Sequence, residues 1–160
     1  NAFALPGGQI FITRALLERL QTEGQLAGVL GHEIGHVIER HSAEHMAKQQ
    51  LTQGLTTAAV LASDSATAGM VAQAVGQVVN MKYGREDELE SDEWGVRLMV
   101  ESGYDPRALI GVMKILEEAS GGGDRPEFMS THPNPGNRIE RIKETIATSF
   151  PDGLPEGLKP

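Results

Sequence analysis

The pentapeptide His32-Glu33-Ile34-Gly35-His36 constrains this chain more than any other stretch of it. A helix turns about 100° per residue, so positions i and i+4 lie roughly 40° apart on one face. On a helix, His32 and His36 can therefore offer imidazole nitrogens to a single metal ion. Glu33 stands about 100° from His32, beside such an ion and not on it, where a base acting on a water belongs. The same five residues could also sit in a solvated amphipathic helix whose histidines have unrelated partners. The flanks argue against that. Leu26-Ala27-Gly28-Val29-Leu30-Gly31 leads in without a charge and Val37-Ile38 follows, which predicts a mostly buried helix. Two histidines and a glutamate buried without a shared partner would be destabilising. Gly31 and Gly35 each weaken a helix interior by roughly 1 kcal/mol, so another segment is expected to pack closely there.

A catalytic zinc site takes three protein ligands and keeps one position open. The pattern H-E-x-x-H-x-x-G-x-x-H does not supply the third, because Glu39 replaces its glycine and His41 comes one place too early. One helix is expected from about 22–25 to 50, so His41 and His45 project about 180° and 220° from His32 and cannot reach a metal held by His32 and His36. They are then surface or second-helix contacts. A downstream carboxylate is the alternative third ligand. Residues 86–93 hold six acids in eight positions, which would suit a solvated helix start. Yet Leu89, Trp94, Val96, Leu98 and Met99 require that this helix be partly buried. Glu88 and Asp92 share a face at i, i+4. Glu88 is the expected ligand, and Asp92 the acceptor for the far ring nitrogen of a ligating histidine, assigned to His32.

H-E-x-x-H followed by E-x-x-x-D is the gluzincin arrangement, and the chain resembles the CAAX-prenyl-protease and HtpX-like metallopeptidases, including their soluble bacterial-envelope members. Four pieces carry the resemblance in order: residues 1–8 (NAFALPGG), HEIGH at 32–36, ELESD at 88–92, and Ser130-Thr131-His132-Pro133 running to Arg138. The resemblance implies an α+β, mainly α fold, a zincin-like minimal gluzincin core with a small N-terminal β-hairpin and the HEXXH helix. It implies a zinc endopeptidase holding one Zn2+ per chain on His32, His36 and Glu88, with Glu33 as catalytic base. His132 would steady the oxyanion and Arg138 would help position it. Unfolded or damaged envelope and membrane proteins as substrates, and an extracytoplasmic location in the bacterial periplasm or at a membrane, are implied in the same way. Prenyl-peptide specificity is not carried over, because a large membrane chamber cannot be built from 160 residues.

A net charge of −8 and a pI near 5.1 exclude nucleic acid as a partner, since phosphate binding needs a basic face. With no cysteine there is neither a disulfide framework nor a thiolate metal site. The length suits one catalytic domain over 1–150, and a chain opening on Asn1 reads as part of a longer protein. Residues 1–12 predict a hairpin, with Asn1, Ala2, Phe3 and Ala4 at an edge that could take an extended polypeptide by strand addition. Thr13 or Arg14 is expected to open a helix carrying Leu16, Leu17 and Leu20 to near Gly24.

Residues 49–81 contain one charge, Asp64. The uncharged runs either side of it are too short or too polar for spans of about 20 apolar residues. Two small-residue helices are expected there, acting as a lid or a membrane-facing flap. Asp105-Pro106 should start a helix with Ala108, Leu109, Val112 and Leu116 buried, and 121–123 should break it. A last helix from Asn134-Pro135 carries Ile139, Ile142 and Ile146. Arg138 in its first turn opposes the helix dipole and calls for a carboxylate or substrate partner. The tail 151–160 is expected to be loose. The competing function is a latent, metal-bound chaperone or scaffold that binds unfolded proteins.

Overall fold

The computed structural model describes residues 1–62, 84–120, 128, 131–132 and 136–160. Strand β1 (Ala2–Ala4) pairs antiparallel with β2 (Ile10–Ile12), placing Ala2 opposite Ile12 and Phe3 opposite Phe11. Gly8, at φ +87°, closes the turn between them. Ala2 and Ala4 are buried, and their small side chains let the hairpin lie close on helix α2 (Glu23–Ile38). Phe3 stacks on Phe11 on the outer face, with ring centroids 5.2 Å apart.

Helix α1 (Arg14–Leu17) is a single turn, shorter than expected: Leu16 enters the core, but Leu17 is exposed. The chain leaves the helix because Thr22 adopts an extended conformation and caps α2, its side chain accepting from the Gln25 N–H at 3.2 Å. Helix α2 ends at Ile38 and does not continue to residue 50. Arg40 sits in the left-handed region at φ 61°, and helix α3 (His41–Ala62) restarts immediately after it. A left-handed residue breaks the α-helical turn and re-aims everything beyond it. Of the expected lid, residues 49–62 belong to α3, and 63–81 lie outside the described residues. Among the described residues no helix is long and apolar enough to cross a membrane.

Helix α4 (Arg85–Glu101) packs on α2 with the two backbones almost touching. A Cβ on Gly31 would stand 3.1 Å from the Cα of Gly95, and one on Gly35 would stand 2.8 Å from the Cα of Ser91. This is the close approach that the two helix glycines predict. Helix α5 (Arg107–Ser120) buries Leu109, Val112, Met113 and Leu116, and the Asp105 carboxylate accepts from the Arg107 N–H at its start. The 121–123 break lies outside the described residues. Helix α6 (Arg138–Ser149) follows Asn137; Ile142 is buried and Ile139 and Ile146 are partly so. Residues 134–135, where its start was expected, also lie outside the described set.

Val29, Val96, Met99, Leu109, Val112 and Ile142 form the heart of one core shared by these helices. The tail is not loose. Lys159 bridges to Tyr104 in parallel, exchanging backbone hydrogen bonds with Gly103 and Asp105, and the Pro160 carbonyl accepts from Gly24 N–H. Main-chain groups at the start of α2 and between α4 and α5 have no helical partner, and the tail satisfies them. The result is a mainly helical, zincin-like α+β fold with a two-stranded N-terminal hairpin.

Candidate metal centre

The apolar lead of α2 buries the face that carries His32, Glu33 and His36, all at most 1% exposed. The glycine contacts then bring α4 near enough for Glu88 to reach them. His32 Nε2 and His36 Nε2 stand 3.1 Å apart. Glu88 places Oε2 3.6 Å from His32 Nε2 and Oε1 3.5 Å from His36 Nε2. Ligands held about 2.0–2.2 Å from a tetrahedral zinc lie about 3.3–3.6 Å from one another. The two ring nitrogens and the two oxygens of the Glu88 carboxylate thus lie at separations close to those around one such ion.

His132 joins them. Its Nδ1 lies 3.0 Å from Glu88 Oε1 and 3.4 Å from His32 Nε2. Among the described residues His32, His36, Glu88 and His132 form the group able to hold a metal ion. Sequence reasoning placed His132 near the cleft but not among the donors, because residue 132 is remote from both helices in the chain. The ring of Phe128 stacks on it at 4.4 Å. Glu33 stands beside the donors: its Oε1 is buried without a hydrogen-bond partner among the described residues, 3.5 Å from His132 Nε2. A buried carboxylate oxygen left unpaired costs about 1–3 kcal/mol or more, and such exceptions mark sites that receive something else.

Behind the donors lies a charged shell. Asp92 Oδ1 is 2.9 Å from His32 Nδ1, the pairing expected from the i, i+4 relation to Glu88. Arg138 is 1% exposed and donates to both carboxylates, to Asp92 Oδ2 at 2.7 Å and to Glu88 Oε2 at 3.0 Å. The carboxylate partner that its first-turn position calls for is thus present twice over. Arg138 also approaches His32 Nδ1, at 3.3 Å.

Burial, the largest influence on His36, holds it down to about 3 and keeps its ring neutral. Burial also pushes Glu33 up. It would lower His32, but the Asp92 hydrogen bond and the surrounding carboxylates outweigh it and leave His32 raised. For Glu88 burial is opposed and overcome by hydrogen bonds from His132 and His36, which hold it well below the usual carboxylate range. Asp92 is likewise lowered: the Arg138 charge and hydrogen bonds outweigh its burial. A neutral His36 beside an ionised Glu88 is the protonation state a divalent metal requires of those two ligands, whereas His32, raised by its carboxylate neighbours, has to be neutral to bind one.

His41 makes a second-helix contact, as expected, but on a different side of the catalytic helix from the one the sequence reading gave it. The break at Arg40 turns it inward; it is 4% exposed, with Nδ1 2.9 Å from His36 Nδ1 and Nε2 3.3 Å from Glu90 Oε2. His45 meets Asp87 at 3.1 Å, a second-helix contact as expected. Of residues 1–4, Asn1 Oδ1 lies 3.4 Å from Thr131 Oγ1, next to His132. In the antiparallel register Ala2 and Ala4 direct their peptide groups to the edge away from β2, and there the Ala4 carbonyl already accepts from Ser42 Oγ at 3.2 Å.

A buried H-E-x-x-H helix facing a carboxylate from a second helix defines a metallopeptidase-type centre. The chain belongs to peptidase family M48, which it matches over residues 1–146. It is 35% identical over 158 residues to the mitochondrial metalloendopeptidase OMA1 of Bos taurus, covering 91% of this chain and 30% of that one. It is 31% identical over 70 residues to the metalloprotease YcaL of Escherichia coli, which is 44% of this chain and 27% of that protein. With the β-barrel assembly-enhancing protease of Escherichia coli it shares 36% over 60 residues, 37% of this chain and 12% of the other. The chain spans less than half the length of each of these relatives.

Proposed function

We propose that the chain is the catalytic core of a zinc-dependent endopeptidase, a CAAX-prenyl-protease or HtpX-like member of its family, with His32, His36 and Glu88 as ligands and Glu33 as general base. The observation that carries this reading is the convergence of two imidazole nitrogens and the Glu88 carboxylate at 3.1–3.6 Å beside Glu33 Oε1, which has no hydrogen-bond partner among the described residues. Zinc in that cradle would acidify a water and polarise a peptide carbonyl. Glu33, raised by burial, takes the proton from the attacking water and delivers it to the leaving amine. A base tuned upward toward neutrality both accepts and releases a proton more readily than an ordinary carboxylate. Asp92 fixes His32 with Nδ1 protonated and Nε2 toward the metal, and Arg138 neutralises the charge that Asp92 and Glu88 bring into the core.

Polypeptides are the substrates that a peptidase family implies. Relatives named for β-barrel assembly and for mitochondria support a place at a membrane outside the cytoplasm, with unfolded or damaged membrane and envelope proteins as substrates. The test is digestion of an unfolded protein such as casein by zinc-loaded chain, with Glu33→Gln beside it. The variant should keep its zinc and lose about 10²–10⁴ in turnover, the usual contribution of a general base. Equal cleavage by both would remove Glu33 from the mechanism.

The position of His132 Nδ1, 3.0 Å from Glu88 and 3.4 Å from His32, supports a second reading. A fourth protein donor would close the coordination that a catalytic zinc keeps open and make this a latent form, binding unfolded proteins without cleaving them until His132 swings away. In that case His132→Ala gains casein cleavage; if His132 steadies the oxyanion, the same variant loses it.

A further inference from the structure

The network around Asp92 accounts for one ring of the histidine pair; the other ring has its own support, built from residues that no motif of the catalytic helix includes. His36 points Nε2 at the other donors, so its Nδ1 faces away from them. A neutral imidazole that binds metal through Nε2 must carry its proton on Nδ1, and that N–H needs an acceptor. His41 Nδ1 stands at 2.9 Å as an acceptor for it, in a contact where both rings are buried. Once His41 accepts at Nδ1, its own proton lies on Nε2 and faces Glu90 Oε2 at 3.3 Å, with Asp87 Oδ1 farther off at 3.9 Å. Each ring then holds one proton, and each N–H has an acceptor. The opposite assignment would leave His41 Nε2 as a bare lone pair against two carboxylates. Ser91 Oγ also approaches His41 Nδ1, at 3.4 Å, so the residue whose Cα touches Gly35 borders the same ring.

We infer that His41 is a positioning residue for His36, a His41–Glu90 relay that fixes the Nδ1–H tautomer and ring orientation of that ligand as Asp92 does for His32. The left-handed Arg40 makes this possible. On an unbroken helix His41 would lie on the opposite side from His32; the break at Arg40 returns it to the metal side, five residues after the ring it supports. Glu90 is half exposed, so its share of the effect is the smaller one. The inference rests on the zinc-ligand reading of His36.

Zinc affinity, measured by competition against a chromophoric chelator, separates this from mere packing. Outer partners of a ligating histidine contribute about 10–100-fold in metal affinity. His41→Phe keeps a ring of similar shape but offers no acceptor, and should weaken zinc by that factor. His41→Asn is smaller yet places a carbonyl oxygen where Nδ1 stood, and should bind zinc more tightly than His41→Phe. The Co2+-substituted visible spectrum should change in His41→Phe and return toward the parent in His41→Asn. Parent-like affinity in His41→Phe, or a tighter His41→Phe than His41→Asn, would overturn the inference and leave the peptidase reading standing. If the parent itself binds no zinc, and His36→Ala differs in nothing, both fail together.

Discussion

Gly35 lies so close to Ser91 that a Cβ added to it would stand 2.8 Å from the Ser91 Cα, a separation real Cβ atoms do not adopt. That contact sets the distance between the helix bearing His32 and His36 and the helix bearing Glu88. It joins two facts of different kinds, a helix-weakening glycine in the sequence and a metal cradle in the fold.

Gly35→Ala should therefore act on the site as well as on stability. Overpacking of this kind costs about 1–3 kcal/mol, and here the obstacle is backbone, which cannot rotate away. Unfolding by denaturant should show that loss, and zinc affinity should fall because Glu88 retreats with its helix. Gly54→Ala on α3, where no atom of the described residues lies within 4 Å of an added Cβ, is the control. It should be neutral or stabilising by up to about 1 kcal/mol.

Arg138→Met should destabilise the metal-free protein by about 3–5 kcal/mol, the usual result of removing one partner from a buried ion pair. Asp92 and Glu88 both lose a donor when the guanidinium goes. The double variant Arg138→Met/Asp92→Asn should recover part of the loss, since it leaves one fewer buried charge unpaired. A surface-sized effect, under about 0.5 kcal/mol, would contradict the burial of this network.

Metal removal should lower the midpoint of thermal unfolding. An ion that binds only the folded chain stabilises it by about 2.7 kcal/mol at a hundredfold excess over Kd. Chelation should withdraw that amount, and zinc should restore it in the parent but not in a His32→Ala/His36→Ala chain. An unfolding midpoint indifferent to chelator would argue against a bound ion.

Acid should destabilise the metal-free chain. Asp92 and Glu88 are both lowered in the folded state, so their contribution is present above the unfolded carboxylate range and is lost as pH falls through their depressed values. Glu33 is raised and runs the other way: its contribution is present at low pH and is lost as pH rises through its elevated value. His36, lowered to about 3, adds to the loss toward acid, and His32, raised, sides with Glu33; three groups of the centre against two leave a net loss toward acid, read as the denaturant midpoint against pH. Asp92→Asn should flatten that slope; an unchanged slope would show that the lowered carboxylate lies elsewhere.

Much of the centre was legible in the chain because its signals are local and periodic. His32, Glu33 and His36 take their relative directions from the helix repeat alone. Glu88 and Asp92 do the same on α4, and burial of both helices follows from their apolar neighbours. Arg138, adverse to its own helix dipole, announced a carboxylate partner before any was visible. His41 was placed on the wrong side because nothing at residues 39–40 signals a break: neither glycine nor proline stands there. The left-handed turn falls on an arginine, a residue that pays for that conformation only where tertiary contacts hold it. One such contact is Glu39, whose Oε1 accepts from the indole N–H of Trp94 on α4 at 2.6 Å.

The tail misled for a similar reason. Residues 151–160 have no periodicity and are rich in proline and glycine, so by themselves they look unstructured. Their order comes from unpaired main-chain groups on Gly24, Gly103 and Asp105 that only the assembled fold presents.

Sequence alone marked His32, His36 and Glu88 as candidate ligands and Glu33 as the candidate base, and it marked where two helices had to approach closely. Those properties belong to side-chain chemistry and to the helical repeat, and both are written residue by residue. The tertiary structure decided that His132 comes within 3.4 Å of His32 across a hundred residues, that Arg138 serves both carboxylates, and that His41 turns back on His36. These are juxtapositions of segments distant in the chain or separated by a strained residue. Their energies arise from packing and burial, which no local pattern records.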